Sequence, residues 1–205
     1  ALDATADNAQ TGTIAIGHSA LTALTSGAQN TAIGYNSMSE HTTGGYNTCL
    51  GYGTMDSTNE GADSLASQYN TFIGRNAGGG TWTDYGVNNN VVVGAGAMAG
   101  NLAGADNCIA IGYTALAGAV THAGGGAIAI GTSALGALTS GAGNVAVGYQ
   151  AGLLATTGAN NVFIGSGVAD ATHVDASGNV AIGLNVFGGS HNASNACHYN
   201  IGMGQ

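Results

Sequence analysis

Proline is absent from this chain of 205 residues, and Arg75 is its only Lys or Arg. Proline cannot donate a backbone hydrogen bond, so its absence is typical of a chain whose backbone pairs along most of its length. Charged residues make up 5% of the sequence and the formal net charge is −9. Because a chain with almost no cations cannot neutralise phosphates, we expect neither nucleic acid nor an anionic membrane as a partner.

Long apolar runs and cysteine motifs are also missing. The longest apolar stretch, residues 91–100, is too short and too rich in glycine to span a bilayer, so we expect no membrane insertion. The three cysteines have wide, unequal spacing that encodes neither a disulfide framework nor a CxxC metal site. We interpret them mainly as buried free thiols; they are Cys49, Cys108 and Cys197.

Histidines are scattered without the spacing of metal ligands, which predicts solvated turn residues, no metal and no cofactor. They are His18, His41, His122, His173, His191 and His198. Carboxylates also fall on turns and insertions, and no spacing selects a pair for hydrolysis, so we do not expect an enzyme. The examples are Glu40, Asp56, Glu60, Asp63 and Asp84.

A short motif of three mostly small or β-branched residues followed by glycine recurs eleven times. The anchor glycines are Gly17, Gly34, Gly51, Gly74, Gly94, Gly112, Gly131, Gly148, Gly165, Gly183 and Gly202. Their spacing is 17 to 19 residues, apart from two expanded coils at 52–70 and 75–90. One unit is too small to bury a core, so neighbouring units must stack. The repeat predicts an all-β fold, a parallel β-solenoid of about eleven coils forming a single domain over residues 1–205.

Alternation within each motif assigns the two faces of the predicted strand. We place the residues one and three before the glycine, such as Ile14 and Ile16, in the coil interior. The residue between them is alanine in six motifs, where a solvated strand would carry a polar residue. We therefore expect this alanine face to be covered by another copy of the chain, in a homo-oligomer with three-fold symmetry favoured. The Asn residues that open the strands predict Asn ladders; they are Asn30, Asn47, Asn70, Asn90, Asn144, Asn161 and Asn179.

The segments at residues 30–36 (NTAIGYN) and 144–151 (NVAVGYQA) resemble the repeats of bacteriophage tail-fibre and related virion-fibre proteins. They are also similar to the head repeats of trimeric autotransporter adhesins. The resemblance covers about residues 12 to 202 and concerns the repeat, not a catalytic motif. It implies a homotrimer of left-handed parallel β-rolls, on the surface of a virion or otherwise extracellular or at a cell surface.

Two sets of residues are candidates for binding a glycan. In the expanded coils, Trp82 lies beside Asp84 and Tyr85 with Arg75 nearby, and aromatic faces flanked by polar groups suit sugar rings. The alternative is that Trp82 caps its own coil. The second set is a stripe of tyrosines after anchor glycines, in which stacking would align Tyr35 with Tyr52; Tyr113 and Tyr149 follow the same pattern. Tyrosines packed along the ladder or between protomers are the alternative there.

Together these features favour a structural and receptor-binding segment of a virion (phage tail) fibre that contacts host surface glycans. A bacterial trimeric surface adhesin head is one alternative. An ice-binding β-solenoid is another, but that function needs a regular threonine array. Threonine occupies the first strand position only at Thr31, Thr48 and Thr71.

Overall fold

A computed structural model describes residues 11–58, 66–83, 85–121, 124–170, 175–188 and 198–204. They form one parallel sheet of eleven short strands that follow each other in sequence order. The strands are β1 (Ile14–Ile16), β2 (Thr31–Ile33), β3 (Thr48–Leu50), β4 (Thr71–Ile73), β5 (Val91–Val93), β6 (Ile109–Ile111), β7 (Ile128–Ile130), β8 (Val145–Val147), β9 (Val162–Ile164), β10 (Val180–Gly183) and β11 (Ile201–Gly204). The predicted all-β parallel solenoid is confirmed, and β1 to β10 begin where the motifs placed them.

The last strand differs from the prediction by two residues. Ile201 pairs with Val180 and Gly204 pairs with Gly183, so Gly204 takes the anchor position that we had assigned to Gly202. The register is set just before the strand, where Asn200 donates from its backbone N and from Nδ2 to Asn179 Oδ1, at 3.0 and 3.1 Å. The asparagine, not the glycine, is therefore the better marker of this coil.

The prediction of which strand face points inward is wrong. The middle residue of β2 to β10 is buried in the coil interior, whether it is alanine or larger, as at Phe72 and Phe163. The residues on either side of it face solvent, and Ile16 is 58% exposed. The alanine side is covered by the same chain, because the segment after each anchor glycine folds back across it. No second copy is needed to bury this side, and the coil interior holds phenylalanine as well as alanine there.

The segment after the glycine supplies most of the core through tight bends instead of a second strand. Leu21, Met38 and Leu135 are fully buried, and each has a positive φ close to 50°. Such left-handed backbone is costly for residues other than glycine, so the surrounding coils must hold it in place. Backbone bonds between coils do this, as Leu135 N donates to Ala151 O at 3.0 Å.

Asn ladders run along the solenoid beside the strands, as the sequence predicts. Asn161 shows the pattern: its Nδ2 donates to Asn144 Oδ1 at 2.9 Å and to Ala176 O at 2.8 Å. Its Oδ1 accepts from Asn179 N at 2.9 Å and from Asn179 Nδ2 at 3.1 Å. Because the polar groups of this buried amide are hydrogen-bonded, its burial carries no penalty for an unsatisfied group. Its bonds to the coils on either side also fix the rise between coils. The two ladders are Asn30, Asn47, Asn70 and Asn90, then Asn144, Asn161, Asn179 and Asn200; Cys108 and Ala127 occupy the interval.

Candidate functional site

The outward side of the strands is a long, flat and apolar surface, which we call the sheet face. It consists of the first and third residues of the eleven strands, and 19 of these 22 positions carry Ile, Val, Leu or Met. At about 4.8 Å per strand, it is about 50 Å long. Exposed apolar patches of this extent mark interaction sites in proteins of known function. The other three positions are Thr31, Thr48 and Thr71, which are in register on β2 to β4, so the strands form no threonine array along the whole sheet face.

An exposed stack of side chains lies at one edge of the sheet, one residue after the anchor glycines. The rings of His18 and Tyr35 are 5.0 Å apart at 11°, and those of Tyr35 and Tyr52 are 5.3 Å apart at 7°. Arg75 is exposed and occupies the same position in the next coil. The register is set by Asn76 N, which donates to Tyr52 O at 2.8 Å. We call these four residues the aromatic column. The structure therefore brings together the predicted residues Tyr35, Tyr52 and Arg75.

A second tyrosine stack was missed by the sequence analysis. Tyr46 and Tyr69 lie at the opposite end of the strands, with ring centroids 4.9 Å apart at 15°. Each directly precedes an Asn of the ladder, Asn47 or Asn70, so the ladder pattern would have placed them in adjacent coils. Tyr113 and Tyr149 are exposed at the position of the aromatic column, but Thr132 separates them in the intervening coil.

Trp82 does not present its ring to solvent. It is fully buried, its Nε1 donates to Gly78 O at 2.9 Å, and its ring lies 5.7 Å from that of Phe72. This is the alternative that the sequence left open, in which the expanded coil is capped by its own tryptophan. Tyr85 is 59% exposed nearby, and Asp84 lies outside the described residues.

His41 contradicts the prediction that the histidines are solvated turn residues. It is fully buried, its Nε2–H donates to Gly44 O at 3.1 Å, and its Nδ1 has no hydrogen-bond partner. Burial lowers the pKa of His41 to about 4, although the bond to Gly44 acts in the opposite direction. His18 and His198 are exposed, while His122, His173 and His191 lie outside the described residues.

His41 makes the stability of the fold depend on pH. The His41 ring has a pKa of 6.5 in the unfolded chain, and the folded state resists its protonation. The contribution of the neutral ring to the unfolding free energy is therefore complete above pH 6.5 and is lost as the pH falls toward 4. We expect about 2 kcal/mol of the unfolding free energy to disappear between about pH 7 and pH 4.5. The measurement is urea denaturation of the natural protein and of His41→Gln at both pH values and at equal protein concentration.

The difference between the two proteins isolates His41. Burial raises the pKa of Asp56, which works in the opposite direction on acidification, but this effect is shared by both proteins and cancels. His18→Gln, at an exposed position, is the control and should keep the pH dependence of the natural protein. Parallel pH profiles for the natural protein and His41→Gln would contradict the assignment.

The interpretation of two cysteines as buried free thiols is confirmed. Cys49 and Cys108 are free and fully buried. Burial raises the pKa of both thiols, which keeps them protonated and unreactive. Cys197 lies outside the described residues.

Metal-ligating side chains are dispersed among the described residues. Within them, no three His, Cys, Asp or Glu side chains are grouped so that they could hold a metal ion. Glu60 and Asp63 lie outside the described ranges. Over the same ranges, no helix is both long and apolar enough to cross a bilayer.

The sheet face and the aromatic column are thus the two surfaces that stand out, one apolar and continuous, the other aromatic and local. Comparison with known proteins adds no relative: no family model, no curated protein and no solved structure matches this chain significantly.

Proposed function

We propose that this chain is a structural and receptor-binding segment of a virion fibre, a homotrimer whose protomers meet through the sheet face and whose aromatic column contacts host surface glycans. The single observation that carries the proposal is the sheet face itself. A parallel solenoid supplies a stiff rod, and an apolar surface along the whole rod supplies a way to join rods in parallel.

A second copy of this chain suits the sheet face because of charge. Each copy has a formal net charge of −9, and the repulsion between two copies is weakest where they meet through surfaces that carry no charge. None of the 22 positions of the sheet face carries a charged residue. The β-branched side chains there are also stiff, which lowers the entropy lost when copies pack together.

The shape of the sheet face favours three-fold symmetry. It is only two side chains wide, or about 7 Å along the strand direction, while it is about 50 Å long. Three such strips can close around one axis so that each packs against the other two and no apolar strip stays in water. Two strips can also pair, so a dimeric mass would contradict three-fold symmetry.

The aromatic column is suited to a glycan because of its stacked rings. Tyr35 and Tyr52 are 46% and 53% exposed and lie at the edge of the sheet, beyond the anchor glycines. Because the stacked rings cover each other's faces, the column exposes ring edges and phenol hydroxyls, and phenol hydroxyls bond sugar hydroxyls. Arg75 adds planar donors at the end of the column, which favours a sugar with a carboxylate or several hydroxyls.

Two measurements test the proposal. Light scattering should give a mass of three times 19.7 kDa, and a monomeric mass would contradict the assembly of a fibre. On a glycan array, the double variant Tyr35→Ala/Tyr52→Ala should bind its best ligand about tenfold more weakly, since about 1.4 kcal/mol is lost with the hydrogen bonds of two phenol hydroxyls. Tyr149→Ala, an exposed ring outside the column, is the matched control and should bind as the natural protein does. If the protein is a trimer that binds no glycan, only the receptor-binding part of the proposal is wrong.

A further inference from the structure

Two turns of the solenoid each hold a carboxylate oxygen that is buried without a partner. Oδ1 of Asp56 and Oδ1 of Asp170 are inaccessible to solvent and accept no hydrogen bond. Both residues lie five positions after an anchor glycine, Gly51 and Gly165. A buried carboxylate oxygen without a donor or a cation is costly, so its repetition at equivalent positions calls for a physical cause.

Other oxygens surround the carboxylate of Asp170. A methyl group added at Gly188 would lie 3.0 Å from Asn185 O and 3.2 Å from both Asp170 Oδ1 and Gly167 O. Three oxygens from two adjacent coils therefore lie close together beside Gly188. On the other side of the carboxylate, Asp170 Oδ2 and Asn185 Oδ1 both lie against Gly167.

Oxygens of two adjacent coils also lie close to Asp56. A methyl group added at Gly53 would lie 2.7 Å from Asn76 Oδ1 and 3.2 Å from Asp56 Oδ2, while one at Gly79 would lie 3.1 Å from Gly53 O. The amide oxygen of Asn76 and the carboxylate oxygen of Asp56 therefore both lie beside Gly53.

The residues around each carboxylate share one sequence pattern across two coils. Counting from the anchor glycines, glycine is at the second position and aspartate at the fifth of one coil, and asparagine is at the second position and glycine at the fifth of the next. The two sets are Gly53, Asp56, Asn76 and Gly79, and Gly167, Asp170, Asn185 and Gly188. In the described coils, aspartate occurs at the fifth position only in these two places, and both times the next coil supplies the asparagine and the glycine.

We propose that each set is a calcium site, in which the Asp carboxylate, the Asn amide oxygen and the backbone carbonyls of two adjacent coils bind one Ca²⁺. Calcium takes six to eight oxygen ligands and accepts mixtures of carboxylate, amide, carbonyl and water. Magnesium fits less well, because it demands a small octahedral shell and keeps its water. The proposal does not rest on the proposed function, since it concerns the coils and not the sheet face or the aromatic column.

The charge of the sites sets their strength. One carboxylate per site predicts weak binding, with a Kd of about 10⁻⁴ to 10⁻³ M, the range of extracellular calcium modules. No residue next to a member of the Asp170 set is basic. The residue that follows the anchor glycine in the next coil, where the aromatic column would continue, is Leu184.

The test is calorimetric titration of the full chain with CaCl2 after dialysis against EDTA, together with thermal unfolding. We expect two Ca²⁺ per chain, one in each of the variants Asp56→Asn and Asp170→Asn, and none in the double variant. Calcium at about 10 mM should raise the Tm of the natural protein by about 3 °C or more and leave that of the double variant unchanged.

Two comparisons separate binding from misfolding. Without calcium, the double variant should be at least as stable as the natural protein, because asparagine removes a buried unpaired charge. Asp106→Asn is the matched control, since Asp106 Oδ1 accepts from Asn88 N at 2.7 Å, and it should keep both sites. A calcium response that survives in the double variant, or no response at about 10 mM, would overturn the proposal. An equal response to MgCl2 would overturn the assignment to calcium.

Discussion

Alanine in place of the anchor glycine Gly112 is expected to destabilise the solenoid by about 3 kcal/mol or more. Gly112 has a φ of +135°, a region that residues with a Cβ rarely adopt. The added Cβ would also lie 2.7 Å from the carbonyl carbon and oxygen of Gly131 in the next coil. Backbone atoms that are paired between coils cannot move aside, so the strand register or the stacking of β6 on β7 must break.

Gly126→Ala is the matched control for this substitution. Gly126 lies in the coil that follows Gly112, has a φ of +73°, and has no atom within 4 Å of the added Cβ. Only the cost of left-handed backbone remains, about 1 kcal/mol. Urea denaturation followed by circular dichroism measures both variants. Equal losses would show that the backbone angle, and not the contact between stacked glycines, controls the anchor position.

A charged sheet face is expected to dissociate the proposed trimer. Ile111 and Ile164 are each 38% exposed in the single chain, so glutamate at these positions reaches water in a monomer. In a trimer the double variant Ile111→Glu/Ile164→Glu would bury six carboxylates without partners, and each costs several kcal/mol. Light scattering should give 19.7 kDa with the circular dichroism spectrum unchanged.

The control for this variant is Tyr113→Glu. Tyr113 is 63% exposed and lies two residues after Ile111, beyond the anchor glycine and off the sheet face. Its substitution adds charge in the same coil and should leave the mass of the assembly unchanged. If the double variant kept the mass of the natural protein, the sheet face would not be the interface.

Periodicity alone determined the architecture of this protein. A motif that recurs at nearly regular intervals leaves stacking as the only way to bury its apolar residues, and this predicted the strands from β1 to β10. The asparagines before the strands predicted the ladders, because a stacked amide can satisfy both its donor and its acceptor groups. Tyr35 and Tyr52 were placed together by the same interval.

Only the tertiary structure decided what each position contacts. Alternation shows that Ile14 and Ala15 point to opposite sides, but both sides of a strand with Ile, Ala and Ile are apolar, so the pattern does not say which one the coil encloses. The path of the chain after the glycine settles it, by folding Leu21 and its equivalents over the alanine side. The burial of His41 and of Trp82 depends in the same way on how the turns fold back over each coil. The spacing of the motifs was enough to identify the repeat, whereas the closure of each coil in space decided its inside and its outside.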